Sequence, residues 1–435
     1  MASEAVKVIG AGLAGCEAAW KLAENGVKVE LIDMKPGKLS PAHKLGTFSE
    51  LVCSNSLRSD SIENAVGLLK EELRRAGSLI MECADKCRIP AGGALAVDRN
   101  GFSRLVTEKI VNHPNVSVEQ EEIASVPEGP CVIATGPLTA GKLYEDIERI
   151  VGRSLHFYDA AAPIVTKASL DMNKVFACSR YDRGSDYLNC AMNAEEYFTF
   201  VRALTSAESA ELHEFEDPKV FEGCMPVEVM AKRGDMTLAF GPLKPVGITD
   251  THTGKRPFAV VQLRRDNAED TLYNIVGFQT NLKFAEQKRV FGLIPGLENA
   301  EFVRYGVMHR NSYLESPGKL TCCYELRSRQ GLFFAGQITG VEGYVESAAS
   351  GYLAGVGMLK RQMGQEPPQI GSDTAIGALG NYVSGYNGYD FQPMNITFGI
   401  MEPLKNAPKN KRLRNAAIAE RALARIDELK KEGIF

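Results

Sequence analysis

The sequence predicts an α/β protein, with a Rossmann-like dinucleotide-binding domain interrupted by an inserted α+β domain. Three stretches carry this. The β-branched run Val6-Lys7-Val8-Ile9 leads into Gly10-Ala11-Gly12-Leu13-Ala14-Gly15, a helix-forming segment over 16–24, and a second strand over 27–32 ending at Asp33. Cys131-Val132-Ile133-Ala134 is a short strand-like run that ends in Ala134-Thr135-Gly136. Near the other end, Leu332-Phe333-Phe334-Ala335-Gly336-Gln337 again joins an apolar strand to a glycine turn.

In the first stretch, strand, glycines, helix, strand and acid fall in the register of a βαβ dinucleotide unit. Gly10 permits the tight turn, Gly12 the approach of a pyrophosphate, and Gly15 close packing of helix on strand. Ala11, Leu13 and Ala14 complete the loop, whose helix end offers free N–H groups and a positive dipole to phosphates. Asp33 is positioned for a ribose hydroxyl. Ala134, Thr135 and Gly136 suit the strand that returns beside the first one in two-dinucleotide-type flavoproteins. Gly336 and Gln337 suit the turn by which such proteins reach a ribityl chain. Together the stretches favour a two-dinucleotide-type domain holding FAD rather than a nicotinamide as its permanent cofactor.

Composition sets bounds. The 435 residues suffice for two or three domains, and 44% hydrophobic with 24% charged residues is ordinary for a globular protein. No apolar run is long enough for a membrane span, and Met1-Ala2-Ser3-Glu4 lacks an export pattern, so a cytoplasmic protein is expected. A net charge of −4 leaves room for RNA binding through a local basic patch only. The ten cysteines include no C-x-x-C pair, so no metal site is expected and most should be reduced thiols.

Along the chain, 63–75 and 102–111 read as helices and 116–118 as a strand. From about residue 157 the composition changes, with strand-like pieces at 259–263 and 272–278 and a helix at 194–204. The divisions are therefore 1–156 for the first part of the cofactor domain, 157–323 for an inserted substrate domain, and 324–435 for the second part with a terminal helix. That helix follows a basic stretch holding Lys405, Lys409, Lys411, Arg412 and Arg414.

Five blocks then carry a family resemblance: 10–15, 50–59 (Glu-Leu-Val-Cys-Ser-Asn-Ser-Leu-Arg-Ser), 90–98 (Pro-Ala-Gly-Gly-Ala-Leu-Ala-Val-Asp), 221–231 (Phe-Glu-Gly-Cys-Met-Pro-Val-Glu-Val-Met-Ala) and 334–344 (Phe-Ala-Gly-Gln-Ile-Thr-Gly-Val-Glu-Gly-Tyr). Over essentially its whole length the chain resembles the folate- and FAD-dependent tRNA (uracil-5-)-methyltransferases of bacteria. One departure is Asp33, where that family is expected to carry glutamate; either carboxylate can bind a ribose.

The resemblance implies conversion of the T-loop uridine of tRNA to ribothymidine. Methylene-tetrahydrofolate would supply the carbon, and FAD reduced by NADH or NADPH the electrons. Uracil C5 becomes nucleophilic once a thiolate adds at C6. By family position Cys224 is the expected nucleophile, with Lys232 and Arg233 nearby to favour its thiolate, and Cys53 the supporting base or protecting thiol. Ser54, Asn55 and Ser56 are expected beside the flavin. His309 is a candidate for stacking on the folate pterin and Arg310 for its glutamate carboxylate. The target base must be flipped out of the T-loop, with phosphates held by some of Lys244, Lys255, Arg256, Arg264, Arg265, Lys409, Lys411 and Arg412. Three alternatives stay open: the same chemistry on a ribosomal uridine, a small-molecule flavin oxidoreductase, and a non-catalytic flavin-bearing RNA-binding factor.

Overall fold

The computed structural model describes residues 4–152, 154–180, 184–210, 225–388 and 390–435, apart from the side chains of residues 154, 157–159, 309 and 310. Strand β1 (Val6–Ile9) lies at the centre of a five-stranded parallel sheet. On one side it pairs with β2 (Val29–Asp33), and β2 with Val116–Gln120. On the other it pairs with Cys131–Ile133, and that strand with Leu332–Phe334 at the sheet edge. Val6, Val8, Leu31, Val132 and Phe333 are fully buried in one large core, which explains the near-continuous apolar runs of these short strands.

Helix α1 (Leu13–Glu24) follows β1 and packs along the Tyr344–Gln362 helix. The approach is very close. A Cβ on Gly351 would stand 2.1 Å from the Ala14 carbonyl oxygen, so only glycine fits there. Two segments more than 300 residues apart in sequence are thereby pressed into one layer over the sheet.

The second unit has its own core, including Tyr197, Phe200, Val261, Phe278 and Phe291. Its six-stranded antiparallel sheet runs in the spatial order Val175–Ala177, Tyr187–Met192, Ala259–Arg265, Leu272–Ile275, Ile164–Thr166, Phe302–Arg304. A two-stranded antiparallel ribbon, Ser154–Ala160 against Met308–Leu314, joins it to the parallel-sheet unit. Leu314, Leu320, Cys322 and Cys323 already pack in the first core, so the chain rejoins that core before residue 323.

Local differences from the sequence reading have local causes. The strand expected over 272–278 stops at Ile275, and Gly277 turns the chain with φ +80°. The last helix begins at Lys411 and takes in basic residues expected ahead of it. Asn410 caps it, its Oδ1 accepting from Arg412 N at 2.9 Å and Leu413 N at 3.2 Å. Helices Gly141–Val151 and Ala375–Gly385 were not anticipated; the second is rich in glycine and small residues. No helix among the described residues is long and apolar enough to cross a membrane.

Candidate active site

A cleft of about 410 Å³ opens at the carboxyl ends of β1, β2 and the Cys131–Ile133 strand. This is where open α/β sheets bind ligands, and the size suits a cofactor. Gly10, Gly12, Leu13, Ala14, Asp33, Ala134, Thr135, Gly136, Gly336 and Gln337 all line it. Ala11 and Gly15 sit behind that surface. The Ala11 side chain is fully buried, while a Cβ on Gly15 would meet the Gly10 carbonyl oxygen at 1.8 Å.

The wall fits a dinucleotide. Nothing lies within 4 Å of a Cβ built on Gly12, so the backbone there is open to close approach. Gly12 caps α1 without any side-chain hydrogen bond and no acidic residue stands in the first turn, which leaves the leading N–H groups for phosphate oxygens. The Asp33 carboxylate accepts from Ala11 N at 2.6 Å and Lys35 N at 2.8 Å, which fixes its orientation at the end of β2. A second uncapped helix start, at Gly343, brings Tyr344 and Ser347 to the same cleft. Gln337 is held by Glu342, its Nε2 donating to both carboxylate oxygens at 3.0 and 2.9 Å.

Tyr344 links the cleft to Cys53. Its Oη accepts from Cys53 N at 2.8 Å and from Ser54 N at 3.2 Å, and stands 2.9 Å from Cys53 Sγ. A phenol oxygen has two lone pairs. Both are taken by N–H groups, so the phenol proton is directed at the sulfur. Burial, and then the neighbouring Cys53, push the Tyr344 hydroxyl well above its ordinary range, so it stays a donor. The residue was missed at the sequence level: Tyr344 only closed a motif there, and its partner lies 291 residues away.

A family model described as glucose inhibited division protein A matches residues 5–366. A protein of Listeria innocua named methylenetetrahydrofolate--tRNA-(uracil-5-)-methyltransferase TrmFO is 58% identical over 428 residues, covering 98% of this chain and 99% of that protein. One of the same name from Acetivibrio thermocellus is 59% identical over 426 residues, covering 97% of this chain and 98% of that protein. The chain belongs to the TrmFO family. Among solved structures, Aquifex aeolicus GidA in its form II crystal superposes with a TM-score of 0.70 at 17% identity, over 99% of this chain and 74% of that one. The form I crystal gives 0.67 over 98% and 78%. The fold is thus the FAD-binding, Rossmann-like α/β type with an additional domain.

Against this TrmFO framework the remaining expected residues fall in three places. Ser54, Asn55 and Ser56 are not among the residues lining the cleft. Asn55 is fully buried and donates to Val97 O and Arg265 O, both at 3.0 Å. Ser54 Oγ receives Arg264 Nη2 at 2.7 Å and Ser56 N at 3.1 Å. Cys224 lies outside the described residues. Just beyond it, Val227 N donates to Gln279 O at 2.7 Å. The His309 and Arg310 backbones lie in the connecting ribbon, paired with Asp159 and Tyr158, and their side chains are outside the description.

One expected RNA contact is corrected. Arg264 is buried, donating through Nε to Asn55 Oδ1 at 3.1 Å as well as to Ser54, so it holds the two units together and cannot meet a phosphate on the surface. The Ala259–Arg265 strand lies inside its sheet, buried at every position but the last. Arg265 pairs with Asp270 at 2.9 Å, and Arg412 with Glu63 at 2.7 Å. Lys255, Arg256, Lys409 and Lys411 are exposed; Lys244 is half-buried.

Proposed function

We propose that this protein methylates C5 of the T-loop uridine of tRNA, taking the carbon from methylene-tetrahydrofolate. FAD bound in the cleft supplies, when reduced by NADH or NADPH, the electrons that complete the methyl group. The observation that carries the reading is the Tyr344 bridge, which sets a cysteine thiol directly against the wall of a dinucleotide cleft. A simple dehydrogenase needs no such thiol. Family membership at 58% identity over nearly the whole length supports the same reaction.

In this reading Asp33 orients the adenosine ribose, the start of α1 holds the pyrophosphate, and Gln337 approaches the ribityl side. Cys224 adds as thiolate to uracil C6, and the displaced electron pair makes C5 nucleophilic toward the one-carbon unit. Cys53 takes the C5 proton, and the returning electron pair then expels the Cys224 thiolate. Exposed Lys255, Arg256, Lys409 and Lys411 meet tRNA phosphates, and the reaction takes place in the cytoplasm.

The test is direct. Purified protein, unmodified tRNA transcript, methylene-tetrahydrofolate and NADPH are incubated, and the digested RNA is examined for 5-methyluridine. Product with wild type and none with Cys224→Ala supports both the reaction and the nucleophile. Product from both variants removes Cys224 from that role. Methylation of ribosomal RNA alone moves the substrate, and NADPH consumption without any methylated RNA leaves a flavin oxidoreductase.

A further inference from the structure

The seam between the two units is closed where Arg264 meets Asn55 and Ser54. Elsewhere the second unit keeps an aromatic face open. Phe302 and Tyr305 stack at 5.1 Å with their ring planes 7° from parallel, and Tyr305 and Phe284 at 4.7 Å and 18°. Among the described residues these are the stacked pairs; the other ring pairs are tilted or edge-on. The ladder runs outward from the protein interior. Phe302 packs on the second core and against Phe291, whereas Phe284 is 54% exposed. Tyr305 covers one face of the Phe284 ring, and no other ring among the described residues packs on it.

The ladder is held rigidly. Gln287, fully buried on the Phe284–Phe291 helix, accepts from Gly306 N at 2.8 Å. Its Nε2 donates to Gly306 O at 2.8 Å and to Leu282 O at 2.7 Å, which locks the helix to the turn after Tyr305. A Cβ on Gly306 would stand 2.5 Å from Thr280 Cγ2, so that turn has no slack. The lead into the helix is tied in turn to the Val227–Lys232 helix, just beyond Cys224. Glu228 there accepts from Asn281 N at 2.7 Å and Thr280 Oγ1 at 2.8 Å. A ring ordered in advance binds without a further entropy cost. The surroundings of Phe284 are cationic rather than apolar. Lys283 stands just before it and Lys288 one turn after it, both exposed. Lys283 pairs with Glu208 at 2.7 Å, and Glu286 on the same helix is taken by Arg289 at 2.6 Å. Lysines are depleted at the cores of protein interfaces, whereas a flat aromatic face beside ammonium groups suits unpaired nucleotides, base on ring and phosphate on cation.

We propose that Phe284, backed by Tyr305 and Phe302, is a stacking platform for one unpaired base of the RNA substrate, with Lys288 meeting its phosphate. The inference rests on the tRNA reading above and adds to it a docking point away from the cofactor cleft. Flipping the target uridine out of the loop deprives its neighbours of a stacking partner. The Phe284 ring replaces that partner for one of them. Every base has a π-face, so the platform holds the opened loop without reading its sequence.

The measurement is the affinity of the full-length FAD-bound protein for unmodified tRNA transcript, by fluorescence anisotropy over a series of salt concentrations. Phe284→Ala would uncover Tyr305 and offer the base a second ring. The decisive variant is therefore Phe284→Leu, which keeps apolar bulk over Tyr305 but has no π-face. It is expected to bind about tenfold more weakly with the same slope against salt, while Phe284→Trp binds at least as tightly as wild type. Leucine binding like wild type, or tryptophan weakened as much as leucine, overturns the proposal. So does a self-association lost in Phe284→Leu with tRNA affinity unchanged, which would make this face a contact between copies of the chain. Should the leucine variant fail to fold, Phe284→Trp decides alone. Its indole emission, read above that of the single native Trp20, should be quenched when tRNA is added, and unquenched emission overturns the proposal. Assaying 5-methyluridine on the same preparations separates the two readings. Phe284-dependent tRNA binding without methylation upholds the platform and sinks the function; methylation by wild type with leucine binding unchanged does the reverse.

Discussion

Arg99 and Asp266 clasp each other across the seam, with Nη2 to Oδ1 at 2.9 Å and the two side chains 8% and 4% exposed. Breaking such a pair strands one buried charge, whereas replacing both partners by apolar groups does not. Asp266→Ala is expected to lower stability by about 3–5 kcal/mol in denaturant titrations. The Arg99→Met/Asp266→Met double variant should recover most of that stability. A double variant as unstable as the single one would mean that shape, rather than charge, holds the seam.

Two glycines of one motif should separate folding from cofactor binding. Gly15→Ala forces a Cβ onto the Gly10 carbonyl, and overpacking of this kind costs about 1–3 kcal/mol or more. Gly12→Ala meets nothing in the protein. It should melt like wild type without cofactor, yet be purified with far less flavin. Absorbance at flavin wavelengths and apoprotein melting curves read the two effects independently.

Tyr344→Phe removes the acceptor shared by Cys53 N and Ser54 N, at a cost of about 1–3 kcal/mol for the stranded N–H groups. Flavin content should hold while 5-methyluridine formation falls. An equal fall in flavin and activity would make the tyrosine a wall of the cleft and nothing more.

Two buried glutamates predict a pH dependence. Glu72 accepts from Ala375 N and Ile376 N at the start of the Ala375–Gly385 helix, and Glu17 from Leu79 N, Ile80 N and Ser78 Oγ. Burial outweighs these bonds and raises Glu72 to about 8 and Glu17 to about 7, from 4.5. Since the folded values are raised, their contribution is fully present below pH 4.5 and has been lost once pH has risen through 7 and 8. Each can add a fall of up to about 1.4 kcal/mol per pH unit within its window. Glu72→Gln should begin about 1–3 kcal/mol less stable at pH 5, because one amide oxygen faces two N–H donors. Its deficit should shrink toward pH 8; a constant deficit would show that Glu72 does not titrate there.

Binding to tRNA should distinguish surface from seam. Changing Lys409 and Lys411 to alanine is expected to weaken affinity and to lower the slope of log affinity against log salt by about 1 for each phosphate that a lysine had neutralised. Arg264→Lys should leave that slope unchanged. A reduced slope for Arg264→Lys would return this residue to the RNA surface.

The cofactor wall was legible because its logic is local: Gly10 to Gly15, Asp33, Ala134 to Gly136 and Gly336 are short blocks whose spacing states their geometry. The seam was not. Arg264 and Arg265 are adjacent and look alike in sequence, yet strand alternation sends one into the interface and the other to Asp270. Ser54 and Asn55 sat in the correct block, but their hydroxyl and amide groups proved to be taken by arginine and carbonyl groups more than 200 residues away. Tyr344 shows the same limit, since no spacing rule relates it to Cys53. The Ala375–Gly385 helix was hidden by its glycines, and its anchor, Glu72, is equally remote in sequence.

The sheet edge has a consequence for biosynthesis. The strand Leu332–Phe334 pairs with Cys131–Ile133 and carries the turn that closes the cleft. About 200 residues emerge between them, which at ordinary ribosomal rates is on the order of 10–40 s. During that interval the four earlier strands wait with an open edge and an unfinished flavin wall. The nascent chain therefore has to bring the antiparallel unit into order, or keep it out of the way, before the cofactor can be captured.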